Sequence, residues 1–197
     1  MSVIDLVSSQ QKFVVQAEQP KDCVAREALL DRAMGPGRKR KSSEKLRRGR
    51  LPSRDLALVA RDSSGRVVGT VRLWDVAAGG KPLQLLGPLA VDPAHAGFGI
   101  GSALMRHAVS TACRLGHGGI VLVGDSAYYK KFGFSAAKTD GLMMPGPVER
   151  ERFLALELRH GYLEVAAGLL VAMGPVSQRR SSGGQKLKQA DVRAGLA

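Results

Sequence analysis

Three glycines at alternate positions, Gly97-Phe98-Gly99-Ile100-Gly101, follow a strand-like run ending at Val91 and open a helical stretch. Such a turn is suited to holding an anion. Glycine adopts positive φ without steric cost and lets a ligand approach the main chain. The first N–H groups of the helix that follows have no intrahelical partner and carry the positive end of its dipole. The loop is not a Walker A motif, because Gly-Lys-Ser/Thr is missing. Nor is it a dinucleotide fingerprint: counted from Gly97 the third glycine position is Ser102, and counted from Gly99 it is Leu104. The residues alone leave two roles open, an anion cradle or a tight strand–helix connection.

The elements that must position this loop are read from periodicity. Lys12–Val15 suggests a short first strand, and Cys23–Met34 a helix with Val24, Ala28, Leu29 and Leu30 on its apolar side. Gly35-Pro36-Gly37 stops that helix, and Ser42–Leu46 suggests a second short one with a serine cap. Leu56–Ala60 and Val67–Trp74, joined by the turn residues Asp62–Gly65, predict a β-hairpin. Leu83–Val91 predicts a further strand, in which Gly87-Pro88 implies a bulge or a splay. Ser102–Leu115 is a helix with Leu104, Met105, Ala108, Val109, Ala112 and Leu115 recurring at helical spacing, ended by Gly116. Ile120–Val123 predicts a buried strand, Ser126–Phe132 a short helix with Asp125 as N-cap, and Phe153–Leu158 a late strand. The order predicts a mixed α/β (α+β) fold with helices packed on one central sheet. One domain is expected over residues 1–173, followed by a basic, disordered tail over 174–197.

Leu89-Ala-Val-Asp-Pro, then Gly97-x-Gly99-Ile-Gly101-x-Ala103-Leu104, resembles the acetyl-CoA loop of GNAT-superfamily acyltransferases. The family pattern is Gln/Arg-x-x-Gly-x-Gly/Ala. Its glycines align with Gly99 and Gly101, and its Gln/Arg position falls on Ala96, a departure. The resemblance implies that main-chain N–H groups of Gly97, Phe98, Gly99, Ile100 and Gly101, with Ser102 nearby, grip the CoA diphosphate. It also implies that Leu89, Ala90 and Val91 lie on a splayed strand and pair with the pantetheine arm. His95, beside the departure, is either a partial substitute or a solvent-facing residue.

A second stretch, Val121-Leu-Val-Gly-Asp125-Ser-Ala-Tyr-Tyr129-Lys-Lys-Phe-Gly133-Phe134, is similar to the family's Tyr-x-x-x-Gly-Phe block. Four residues before Gly133 stands Tyr129, not Tyr128. The resemblance implies that Tyr129 lies near the CoA sulfur and protonates the departing thiolate. A phenol with a reference pKa of about 10 is a competent donor at neutral pH. Asp75 and Glu157 are candidates for the base that accepts the amine's proton. Leu142-Met-Met-Pro-Gly-Pro and Phe153-Leu-Ala-Leu-Glu-Leu extend the resemblance to a bacterial branch of N-acetyltransferases, over roughly Ala28 to Leu158. The implied fold is a GNAT-like central mixed, mostly antiparallel sheet with helices on both faces and a splayed strand pair. The implied activity is transfer of acetyl from acetyl-CoA, by direct attack in a ternary complex, to an amine on a small molecule or a protein. No metal is called for.

The bulk composition fits. In 197 residues, 44% hydrophobic content is enough for a core, and no apolar run reaches membrane-spanning length. The N-terminus lacks a secretory pattern, and Cys23 and Cys113 have neither metal nor redox spacing, so a cytoplasmic protein is expected. His95, His107, His117 and His160 form no His-x-x-x-His pair. The net charge is +13, concentrated between Arg38 and Arg50 and again between Arg179 and Arg193. That charge suits an anionic cofactor, an acidic protein or nucleic acid. Two rival readings follow, both less favoured: an acyl-CoA-binding GNAT-fold protein with weak or no catalysis, hinted by Ala96, and a basic nucleic-acid-associated protein. Both monomer and homodimer are compatible with the sequence.

Overall fold

A computed structural model describes residues 13–177. The chain runs β1 (Phe13–Ala17), α1 (Cys23–Met34), α2 (Glu44–Arg47), β2 (Ala57–Asp62), β3 (Val67–Ala78) and β4 (Lys81–Val91). It continues through α3 (Ile100–Arg114), β5 (Gly119–Val123), α4 (Ser126–Lys130), β6 (Leu142–Met143), β7 (Phe153–Glu157), β8 (Gly168–Leu169) and β9 (Val171–Ala172). The main sheet has the order β1-β2-β3-β4-β5-β7, with β9 added against the end of β3. Its pairs are antiparallel except β4 with β5. The expected mixed, mostly antiparallel sheet is present, with helices on both faces.

Alternation along the strands supplies two apolar faces. On one, Ile120 and Leu122 of β5 and Leu154 and Leu156 of β7 join Ile100, Leu104, Met105, Ala108 and Ala112 of α3. On the other, Trp74, Val76, Leu85 and Val121 meet Leu46 of α2, while Leu29 of α1 packs on Val59 and Val67. Leu115 lies past the end of α3 and is 45% exposed, and Val109 is half-buried, so the helix's core stripe is narrower than its periodicity implies.

The apolar face expected for α1 is corrected. Val24 is 81% exposed and Ala28 is exposed as well, whereas Arg26, Leu29 and Leu30 are buried. The cause is an ion pair: the Arg26 guanidinium bonds the buried Glu18 carboxylate, which also takes the Arg72 guanidinium at 2.7 Å. A charge can be buried when paired and hydrogen-bonded, and hydrophobic periodicity is blind to it. The serine cap of α2 is likewise absent: Ser43 holds the N-cap position without a side-chain bond, and the Ser42 hydroxyl instead donates to the Pro147 carbonyl. Lys12, placed in the first strand from sequence, lies outside the described residues. Gly174–Ser177, assigned to the tail, are tied in: Leu51 N–H donates to the Pro175 carbonyl (2.9 Å) and Ser177 N–H to that of Gly49 (2.8 Å). Residues 178–197 lie outside the described residues.

Candidate active site

The sheet opens at its centre. β4 and β5 pair in parallel only at Gln84–Ile120 and Leu85–Val121. Beyond Leu85 the two strands separate. Leu89, Ala90 and Val91 stay paired on their other side, with Val71, Thr70 and Gly69 of β3. Their edge toward β5 therefore has no strand partner among the described residues, and its backbone groups are open to a ligand. The register of β3 against β4 shifts between Val71 and Leu73, opposite Gly87-Pro88, whose peptide bond is cis. Proline donates no ladder bond, so it is accommodated at this bulge. Trp74 Nε1–H pins it by donating to the Gly87 carbonyl at 2.7 Å.

After β4 the chain turns at Asp92, whose carboxylate accepts from Ala94 N–H (3.1 Å) and from Arg32 of α1 (2.8 Å). The Arg32 guanidinium is the leading reason that this carboxyl titrates below the ordinary aspartate range. Ala96 follows in an extended conformation and is exposed. Gly97 and Gly99 then take φ of +83° and +79°, which an L side chain rarely adopts. Gly99 is the N-cap of α3, and its carbonyl takes the Ala103 N–H at 3.0 Å. The amides that come before Ala103 head the helix, where the ladder offers them no carbonyl four residues back. Phe98 is half-exposed at the rim of the turn. His95 is partly exposed: its ring lies edge-on to Phe98 of the loop, with Nε2 3.8 Å from the Asp62 carboxylate.

α4 starts where β5 ends. Asp125 caps it by accepting from Tyr128 N–H at 2.7 Å, as its position in the sequence suggests. The two tyrosines then diverge, with rings edge-to-face at 4.9 Å. Tyr128 sends its hydroxyl toward the head of α3. A Cβ on Gly101 would come within 2.8 Å of that oxygen, so glycine makes the approach possible. Burial raises the Tyr128 phenol above its ordinary value, against a hydrogen bond with Ser102 and the charge of Arg106, which lower it. Tyr129 turns the other way, packed on Phe134 and across Gly124, where a Cβ would lie 2.2 Å from its ring. Burial, reinforced by Tyr128 and Asp125, pushes its phenol up to about 12. It therefore keeps its proton through the neutral range and beyond.

Tyr129 faces a cavity of about 260 Å³ that lies in the gap between β4 and β5. Leu86, Gly87, Pro88 and Leu89 form one wall, and Val123 and Tyr129 another. The rest comes from α1, α2 and the basic run around them, with Arg72 and Trp74 of β3. Leu89 belongs both to the open strand edge and to the cavity, and so joins the two halves of the site. Asp75 and Glu157 are not among the lining residues. The Asp75 carboxylate is taken by Ser53 and Gln84 (both 2.7 Å), and Glu157 caps Leu163 N–H (2.9 Å). The carboxylates that do line the cavity are Glu27 and Glu44. Sequence reasoning missed both, as well as Gly124 and Trp74. The signal for Gly124 was its place between a strand and an N-cap; for Glu44 it was the spacing of three to Arg47 inside the basic run.

The comparison with known proteins agrees with this geometry. Residues 53–136 match the model of the acetyltransferase (GNAT) domain. The uncharacterized N-acetyltransferase YhbS of Escherichia coli (strain K12) is 31% identical over 160 residues, covering 80% of this chain and 95% of the relative. This chain belongs to the GNAT acetyltransferases. Among solved structures, the Escherichia coli GNAT family N-acetyltransferase YhbS in complex with CoA matches with a TM-score of 0.71 at 29% identity, over 82% of this chain and 90% of that one. A GNAT family acetyltransferase from Brucella melitensis in complex with acetyl-CoA matches with a TM-score of 0.54, also at 29% identity, over 74% and 96%. Among the described residues this GNAT chain has no cluster of three or more His, Cys, Asp or Glu placed to hold a metal, and no helix long and apolar enough to cross a membrane.

Proposed function

We propose that the chain transfers acetyl from acetyl-CoA to a primary amine by direct attack in a ternary complex. The carrying observation is the opening of β4 from β5, with the amide-bearing head of α3 on one side and Tyr129 on the other. The residues present fit the cosubstrate: helix-head amides and two positive-φ glycines form an anion cradle, and an open strand edge leads from it to the cavity. The amides from Gly97 to Ser102 would hold the diphosphate, and the backbone of Leu89, Ala90 and Val91 the pantetheine arm. Because these contacts are made by main chain, Ala96 in place of Gln or Arg does not remove them. The solved relatives bound to CoA and to acetyl-CoA support this placement.

Bound acetyl-CoA supplies a thioester: the neutral amine forms an amide bond to the acetyl carbon as the C–S bond breaks, and the sulfur leaves needing a proton. Tyr129 is the group of this chain that can give that proton, since its buried phenol stays protonated across the neutral and mildly alkaline range. Tyr128 instead secures the head of α3 through Ser102. Of the two cavity carboxylates, Glu27 would be raised by its burial, but hydrogen bonds from Arg38 and Arg26 overcome this and hold it below the ordinary range. Glu44, which bonds Arg47 at 2.8 Å, is the other carboxylate on the cavity wall and the remaining candidate to accept the amine's proton. The same reading places the reaction in the cytoplasm, within a single acyltransferase domain. The test is thiol release from acetyl-CoA with a panel of amines: the reading expects amine-dependent release, and its absence despite cofactor binding would favour a binding protein without catalysis.

A further inference from the structure

The cavity in front of Tyr129 carries more positive charge than its own carboxylates offset. Six cations line it: Arg38, Lys39, Lys41, Arg47, Arg48 and Arg72. Glu27 and Glu44 are its acids. Two of the guanidiniums have full partners: Arg38 bonds Glu27 (2.6 Å) and Asp31 (2.8 Å), and Arg72 bonds Glu18. Arg47 has only part of one. Its terminal nitrogen bonds Glu44 at 2.8 Å, but its Nε is buried without a hydrogen-bond partner. The side chain is 9% exposed. A second terminal nitrogen lies 3.9 Å from where a Cβ on Gly87 would stand, on the cavity wall beside the open strand.

An orphaned guanidinium N–H in a buried site is costly, because the desolvated donor regains nothing. Burial presses Arg47 below the ordinary guanidinium value by more than its pair with Glu44 restores, and nearby Arg38 adds to the effect. Arginine presents a planar fork that matches an acid group in two parallel bonds. The cofactor does not supply that acid. In the reading above, its diphosphate lies at Gly97–Ser102, and the arm that enters the gap is uncharged.

Resting on that reading, we infer that the acetyl acceptor is a small amine that also carries an acid group, a carboxylate or a phosphate, and that Arg47 binds this group. The cavity volume of about 260 Å³ suits a metabolite-sized molecule. The basic run after α1 thus acts locally, making an anion pocket on the acceptor side of the site. Lys39 and Lys41 at its mouth steer the acceptor inward.

The test uses the full chain and matched pairs of amines. Amino acids are each run beside their amides, and 2-aminoethyl phosphate beside 2-aminoethanol, with thiol release from acetyl-CoA as the readout. The carboxylate and phosphate arms separate the two acid sources. In at least one pair the acid-bearing member is expected to have kcat/KM about tenfold or more above its uncharged partner, mostly through KM. Arg47→Met is expected to erase that preference while acetyl-CoA still raises its melting temperature. Uncharged partners used equally well, no acid-bearing amine used by a chain that binds acetyl-CoA, or a preference that survives in Arg47→Met would each overturn the inference. Should Arg47→Met fail to fold, Arg47→Lys replaces it, and the preference should fall at least about threefold because the fork is lost. A chain that acetyl-CoA does not stabilise at all would instead sink the cofactor reading, which this experiment detects separately.

Discussion

The two sides of the gap between β4 and β5 are built by opposite means. On the loop side, recognition in the proposed reading would rest on backbone: glycines at positive φ, the amides at the start of α3, and a strand edge unpaired among the described residues. On the cavity side it would rest on side chains, mostly charged, delivered by α1, α2, the run between them and β3. Backbone recognition demands a short, contiguous stretch with few permitted residue types. Side-chain recognition demands only that scattered residues converge. Such a division would let a fold keep one cosubstrate while changing its acceptors, since the second wall could be rewritten without disturbing the first.

The sharpest way to break this division is at its border, Tyr129. Tyr129→Phe should lower kcat by roughly 10²-fold, the scale of a lost general acid, and leave acetyl-CoA affinity near its starting value. Steady-state kinetics beside calorimetric titration would separate the two, and an unchanged kcat would remove Tyr129 from the chemistry. With the phenol at about 12, the wild-type rate should show no alkaline fall from this group below about pH 10.

Next in size is Gly124→Ala. The added methyl meets the Tyr129 ring, held by Phe134 behind it, and must push it from its place. A drop in kcat of about tenfold or more is expected, since small displacements of a reacting group are costly. Full activity in a correctly folded variant would show that the position of Tyr129 is unimportant. On the loop side, Gly99→Ala forces a side chain into left-handed backbone and should cost about 1–2 kcal/mol of stability, read by denaturant unfolding, with a matching loss of acetyl-CoA affinity. If affinity falls while stability does not, the amides themselves are being disturbed, which would sharpen the cradle's role.

The smallest effect lies away from both walls. Gln84 Nε2 donates to the Asp75 carboxylate and approaches His117 Nδ1 at 3.3 Å, which favours a neutral imidazole. Burial holds His117 below its ordinary value, against the charge of Asp75. Its folded form therefore binds a proton less readily than the unfolded chain. The stability it permits is present above the unfolded value of about 6.5 and is lost as pH falls through the folded one. Melting temperature should drop modestly from about pH 7 to about pH 5, and His117→Gln should flatten that drop without changing acetyl-CoA affinity. An identical slope in the variant would assign the effect elsewhere.

The same contrast governs what the sequence could reveal. The hairpin of β2 and β3, the stripe of α3 and the Asp125 cap were legible because each follows from local spacing. So was the loop, because alternating glycines before a helix serve few purposes. The bulge at Gly87-Pro88 was legible from proline's missing donor. The inward face of α1 was not, because Arg26 is buried through Glu18, whose other partner, Arg72, stands far along the chain in the hairpin. Nor was the cavity, whose lining comes from segments that only the sheet brings together. The basic run read as suited to an anionic cofactor, an acidic protein or nucleic acid, and only the fold turned Arg47 inward toward Gly87.

The most direct measurement of the central claim is an amide chemical-shift titration of the full chain with CoA. The account predicts saturable shifts concentrated at Gly97–Ser102 and at Leu89–Val91, with the run from Arg38 to Arg50 moving little. Saturation with no movement at those two stretches, or shifts confined to the basic run, would contradict it.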